Sequence, residues 1–89
     1  MQVAITYHEC VAQIHYMRVL VDQQETRFSL YPDGSINVCV LNASARVWRM
    51  AHGRVFANHA EAMAAYRTEK TRTAIRCAIE AAQTQSSNV

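Results

Sequence analysis

Glycine and proline are nearly missing from this sequence, with two of the first and one of the second among 89 residues. That scarcity leaves no glycine-rich phosphate loop of the P-loop or GxGxxG kind and no low-complexity segment. GxSxG and HExxH are absent as well, so neither a nucleophile with its base nor a zinc hydrolase site is written in a motif. The expectation is a protein that is not an enzyme and carries no cofactor. Cysteine is sparse: Cys10, Cys39 and Cys77 are odd in number, far apart and never in a CxxC pair. They suit reduced, mostly buried thiols better than a disulfide framework or a zinc site. No stretch approaches the roughly 20 apolar residues needed to cross a bilayer. The opening MQVAITYHEC has neither the basic region nor the apolar region of a secretion signal, so the expected location is cytoplasmic, with no membrane partner.

What is present fits one small α+β domain. A chain of this length buries about 60 to 70% of its unfolded surface, enough for one core and not two. Apolar residues make up 51% of the composition. Fourteen of them are alanine, so the large side chains that supply burial energy are fewer than the percentage suggests. The domain is expected to span residues 1–83, with a flexible tail at 84–89, and a partner subunit would help its stability.

Charge is divided along the chain. Residues 1–45 hold two Arg against four acids, whereas residues 46–89 hold seven bases against three acids. Eight of the nine bases are Arg, a residue suited to planar contacts with carboxylate or phosphate.

The clearest structural signal is RFSLYPDGSINVCVL. Phe28 and Leu30 alternate with polar residues, YPDGS breaks the pattern, and Ile36, Val38 and Val40 alternate again. This predicts a hairpin in which Pro32 presets φ, Asp33 makes the turn and Gly34 takes the left-handed position. IHYMRVLV at 14–21 predicts a strand that could start as early as Val11, and residues 3–10 fit a short strand or a helical turn. A second hairpin is expected from strands at 45–50 and 54–57 around His52-Gly53. Asn58, with Glu61 three residues on, is a capping-box arrangement that starts a helix running to about residue 83. The fold class is therefore α+β. An antiparallel sheet of about four to five strands, made of an N-terminal strand plus two hairpins, packs against one long C-terminal helix.

That helix contains a conflict. At about 100° per residue, with Met63 set at zero, Ala74, Cys77, Ala78 and Ala81 form an apolar stripe, with Ile75 and Ile79 toward its edge. Glu69, Arg72, Arg76 and Glu80 make a self-neutralising ladder on the opposite side. Arg67 and Lys70 fall inside the apolar stripe, where an unpaired charge is costly. The helix bends or breaks near residues 67–71, or the side chains snorkel past the sheet, or they are presented to a partner.

Candidate binding residues follow. On a strand, Arg46 and Trp48 share a face and Arg49 takes the other, which fits a stacking surface, a protein hot spot, or a core Trp with Arg at the strand end. With Arg54, Arg67 and Lys70 these form the expected partner-binding set. The nearest approach to a metal cluster is His8-Glu9-Cys10 with His15. Adjacent strand residues point to opposite faces, so at most His8 and Cys10 converge, and no metal site is expected.

Two functions are consistent with this pattern. The first is a non-enzymatic protein-binding module, homodimerisation included. The second is a small nucleic-acid-binding protein using its Arg side chains on phosphates. The pI of about 8.6 and the half-neutralised helix bases favour the first. In size, in Ala and Arg richness, and in its layout of strands before one capped helix, the chain resembles the small phage-encoded anti-CRISPR inhibitors of proteobacterial viruses. The resemblance carries no residue-by-residue correspondence. It implies a protein partner that is a CRISPR effector complex or its nuclease, blocked sterically in the cytoplasm of a bacterial host.

Overall fold

The computed structural model describes residues 1–41 and 53–86. Five strands come first: β1 (Val3–Val11), β2 (Ile14–Val21), β3 (Gln24–Leu30), β4 (Ile36–Leu41) and β5 (Arg54–Phe56). Two helices follow, α1 (His59–Ala65) and α2 (Glu69–Ser86). The strands form one antiparallel sheet in the order β1-β2-β3-β4-β5, so each pairs with its sequence neighbour. The expected α+β architecture is present. Residues 3–10, for which a strand and a helical turn were both open, are a strand. The expected strand at 45–50 lies outside the described residues, and so does His52 of the turn that was to follow it.

The turns explain the register. Val11 pairs with Ile14 across a two-residue turn in which Ala12 and Gln13 both have positive φ, 52° and 66°. These are the signs of a type I′ turn, whose twist matches that of the strands. Val21 pairs with Gln24, and in this second tight turn Asp22 takes φ 54°. Between β3 and β4 the YPDGS turn forms as expected. Gly34 N–H donates to the Tyr31 carbonyl at 3.1 Å, and Gly34 sits at φ 93°. The Asp33 carboxylate accepts from both the N–H and the hydroxyl of Ser35.

One face of the sheet is apolar and carries the helices. Met17, Val19 and Val21 of β2, Phe28 and Leu30 of β3, Ile36 and Val38 of β4 and Phe56 of β5 are buried there. Ala62, Ala74, Ile75, Ala78 and Ala82 close the core from the helix side. Period-2 alternation is clean in β2, β3 and β4, as a sheet with one covered face requires. α2 lies over β2 and β3, and α1 over β4 and β5. Gly53, just before β5, approaches Asn37 so closely that a Cβ there would collide with the Asn37 amide.

The expected long helix is broken, one of the outcomes anticipated near residues 67–71, and forms two helices. α1 is capped as anticipated, with Asn58 Oδ1 accepting from Glu61 N–H at 2.9 Å and Glu61 Oε2 accepting from Ala57 N–H. The chain then leaves helical geometry at Tyr66, where φ is −113° and ψ 129°. It resumes with the Thr68 carbonyl accepting from Arg72 N–H at 3.0 Å. The physical reason lies in helical phase. On an unbroken helix Ala62 would stand at about 260° from Met63, while Thr71, Ala74, Ile75, Ala78 and Ala82 would centre near 75°. Those faces are almost opposite, and breaking the helix at residues 66–68 lets both meet the sheet. The buried stripe of α2 is also rotated from expectation: Ile75 is fully buried within it, and Cys77 is only partly covered. α2 continues to Ser86, three residues beyond the expected end, with the Thr84 hydroxyl donating to the Glu80 carbonyl.

Candidate functional site

The break disposes of the charge conflict. Arg67 lies outside both helices and is exposed. Lys70, in the first turn of α2, reaches Asp22 of the β2–β3 turn with Nζ 3.7 Å from Oδ2. Asp22 is a junction: its Oδ1 accepts from Gln2 N–H at 2.9 Å, and its own N–H donates to the Gln2 carbonyl at 2.8 Å. The Gln2 hydrogen bond, helped by the Lys70 ammonium, holds the Asp22 carboxyl below the usual carboxylate range. Next to Lys70, the buried Thr71 hydroxyl accepts from the Gln24 side-chain amide. Lys70 therefore pins the start of α2 to the sheet.

The other expected binding residues are scattered. Arg54 is exposed on the short β5 edge, its guanidinium carbon 5.1 Å from the centroid of Phe56 and 6.0 Å from that of Tyr66. Arg67 follows Tyr66 in the chain, so the two Arg flank one aromatic residue. Arg46, Trp48 and Arg49 lie outside the described residues. Of the expected helix ladder, Arg76 meets Glu69 at 3.3 Å.

The sheet face opposite the helices is open, and its Tyr7, Arg18 and Arg27 side chains are engaged with one another or with acids. Tyr7 donates its hydroxyl to Glu9, and Arg18 stacks over the Tyr7 ring at 5.2 Å. Arg27 pairs with Glu25 at 3.4 Å. Two bases and two acids on one face give little net attraction for phosphate.

The least protected feature is β1. It is nine residues long and forms one edge of the sheet. The helices lie over β2 to β5, which leaves its helix-side Val3 and Ile5 42% and 41% exposed, and on the open face Tyr7 is 40% and Val11 51% exposed. Natural edges are blunted by shortness, by Lys or Pro, or by bulges. β5, at three residues, uses the first device. β1 has no Lys, Arg or Pro, and one bulge between Ile5 and Tyr7 interrupts its pairing with β2.

The helix-side face of β1 also carries His8 and Cys10, and the hairpin places His15 directly across from Cys10. His15 therefore joins the pair that was expected to converge alone. Its Nδ1 lies 3.0 Å from His8 Nε2 and its Nε2 lies 3.8 Å from Cys10 Sγ. The imidazole spans the gap with one nitrogen on each neighbour, so the three donors share no common centre. Among the described residues no group of three His, Cys, Asp or Glu is arranged to hold a metal ion. Cys10 is exposed, and Cys39 and Cys77 are partly exposed, so the expectation of mostly buried thiols is not met. Cys10 lies on the uncovered strand, and Cys77 on the flank of α2 away from Ile75.

No helix among the described residues is long and apolar enough to cross a membrane. Comparison with known proteins finds no matching family model, no matching curated protein and no matching solved structure.

Proposed function

We propose that this chain is a non-enzymatic protein-binding module that adds the β1 edge to an extended segment of its partner. The observation that carries this reading is the length and exposure of β1 at an edge without Lys, Arg or Pro, against an opposite β5 edge of only three residues. Strand addition draws affinity from main-chain hydrogen bonds and specificity from alternate side chains. The fitting segment is apolar on the side of Val3 and Ile5. It is basic opposite Glu9, because β1 carries that acid and no Lys or Arg.

The resemblance to phage-encoded anti-CRISPR inhibitors makes a CRISPR effector complex, or its nuclease, the first partner to test, with steric occupancy as the mode of inhibition. The nucleic-acid reading is the weaker one. Lys70 and Arg76 are each paired with an acid, and the open sheet face balances Arg18 and Arg27 against Glu9 and Glu25. The experiment is a pull-down from bacterial lysate with and without nuclease. It compares wild type, Val3→Lys/Ile5→Lys and Arg54→Glu/Arg67→Glu. One protein complex that survives nuclease and is lost in the β1 variant supports the reading. Salt-sensitive recovery of nucleic acid alone sinks it.

A further inference from the structure

The β1–β2 hairpin builds a line of three side chains on its helix-side face: Cys10, then His15, then His8. His15 is cross-strand to Cys10, and His8 stands two residues before Cys10 on the same side of β1. The cross-strand partners that continue the rows are Met17 beside His8 and Leu30 beside His15, both buried and uncharged. The two imidazoles are partly buried and tilted 44° to one another, while the thiol is exposed.

A nucleophile, a base within reach of it and a third group that orients the base is the arrangement that activates thiols. Here the sulfur lies 3.8 Å from one imidazole nitrogen, and that ring's other nitrogen lies 3.0 Å from the second imidazole. An imidazole fixed at Nδ1 by donating to a neighbour presents Nε2 as an acceptor. Desolvation, with His15 next, favours the neutral form of His8, and a neutral His8 is the form that can accept that hydrogen bond.

We propose that Cys10 is a reactive thiol that His15 deprotonates and His8 positions, and that it forms mixed disulfides with low-molecular-weight disulfides. The Cys10 proton passes to His15 Nε2, and the thiolate attacks one sulfur of the disulfide. The Cys10–sulfur bond forms as the sulfur–sulfur bond of the reagent breaks. The departing thiolate recovers the proton from His15, so one disulfide and one thiol give one mixed disulfide and one thiol. The oxidant is the disulfide itself. His15 is the base that touches the reacting sulfur, and His8 is a positioning residue that acts through His15.

A free cysteine is a few per cent thiolate at pH 7, so a full proton transfer raises the reactive fraction by about thirtyfold. Incomplete transfer brings the expected rate gain to about tenfold. The test treats the full chain with glutathione disulfide at pH 7 and follows modification of each cysteine by peptide mass spectrometry. Cys10 is expected to react first, and its rate to fall about tenfold in His15→Gln while those of Cys39 and Cys77 hold. His8→Phe is expected to slow Cys10 as well, and His8→Gln, which keeps an acceptor, to restore much of the rate. His8→Phe gives the same reading should His15→Gln fail to fold by circular dichroism. A Cys10 rate unchanged in both His15→Gln and His8→Phe overturns the proposal, since exposure alone would then explain the reactivity. Equal slowing by His8→Phe and His8→Gln removes His8 from the relay.

Discussion

Replacing Ile75 with alanine deletes a fully buried side chain from the stripe that α2 presents to the sheet. Such truncations cost about 2 to 5 kcal/mol, and the value depends on how far the surroundings collapse into the space. The neighbours on the same helix face are Thr71, Ala74, Ala78 and Ala82, with Ile79 partly buried one turn on. Ile79 is the one large side chain among them that can shift toward the space, which keeps the expected cost within about 2 to 5 kcal/mol. At about 0.05 to 0.15 kcal/mol per residue the whole domain is worth about 4 to 13 kcal/mol, so Ile75→Ala removes a large fraction of it. Cys77→Ala, on a partly exposed flank, is expected to cost about 1 kcal/mol or less. Urea unfolding followed by far-UV circular dichroism measures both, provided the m-values agree. An unbroken helix centred on Met63 would reverse the ranking, because Cys77 would then lie in the stripe and Ile75 toward its edge. A Cys77→Ala cost equal to or above that of Ile75→Ala would refute the broken-helix phase.

Three other outcomes follow from the same structure. Ala12 and Gln13 both occupy left-handed backbone, which costs about 1 to 2 kcal/mol per residue in L-amino acids other than glycine. Ala12→Asn/Gln13→Gly is expected to stabilise the protein by about 1 kcal/mol or more in the same urea assay. Thr26 is fully buried and its hydroxyl has no partner among the described residues. Thr26→Val, which keeps the shape without the orphaned group, is expected to be neutral or to raise stability by about 1 kcal/mol. Asp22 is held below the ordinary carboxylate range chiefly by the Gln2 N–H, and Asp33 chiefly by the Ser35 hydroxyl. A depressed folded value means that the unfolded chain binds more protons as pH falls. Their contribution is thus complete above about pH 4 and lost on acidification below it. His8, lowered mainly by desolvation, has the same sign, with its loss beginning below about pH 6.5. Urea midpoints measured against pH should fall on the acid side, and Asp22→Asn/Asp33→Asn should flatten the lower part of that fall.

The parts of the fold that local chemistry dictates could be read from the chain. YPDGS names its turn through Pro32, Asp33 and Gly34, and Asn58 with Glu61 names a helix start, because both signals act within a few residues. The broken helix was harder. Neither Gly nor Pro marks it, and the remaining signs are the misplaced Arg67 and Lys70 and the pair Thr68-Glu69, a cap residue followed by an acid. Lys70 could be placed only once Asp22, 48 residues earlier, was known to stand beside α2. The β1 edge was hidden for a different reason. VAITYHECV contains the signal, an exposed-edge sequence without Lys, Arg or Pro, but a strand becomes an edge only through the order of its neighbours. His15 was separated from Cys10 on the page because their contact depends on a two-residue turn made of Ala12 and Gln13, neither of which announces left-handed backbone.

The claim that β1 is the binding strand is tested most directly by amide hydrogen exchange on the protein alone and in the complex recovered by the pull-down. Strand addition predicts that Val3–Val11 gains the largest protection on binding, because its outward main-chain groups acquire partners. Unchanged exchange across β1, with protection confined to β5 or to the segment around Arg67, would contradict it and return the binding site to the basic end of the molecule.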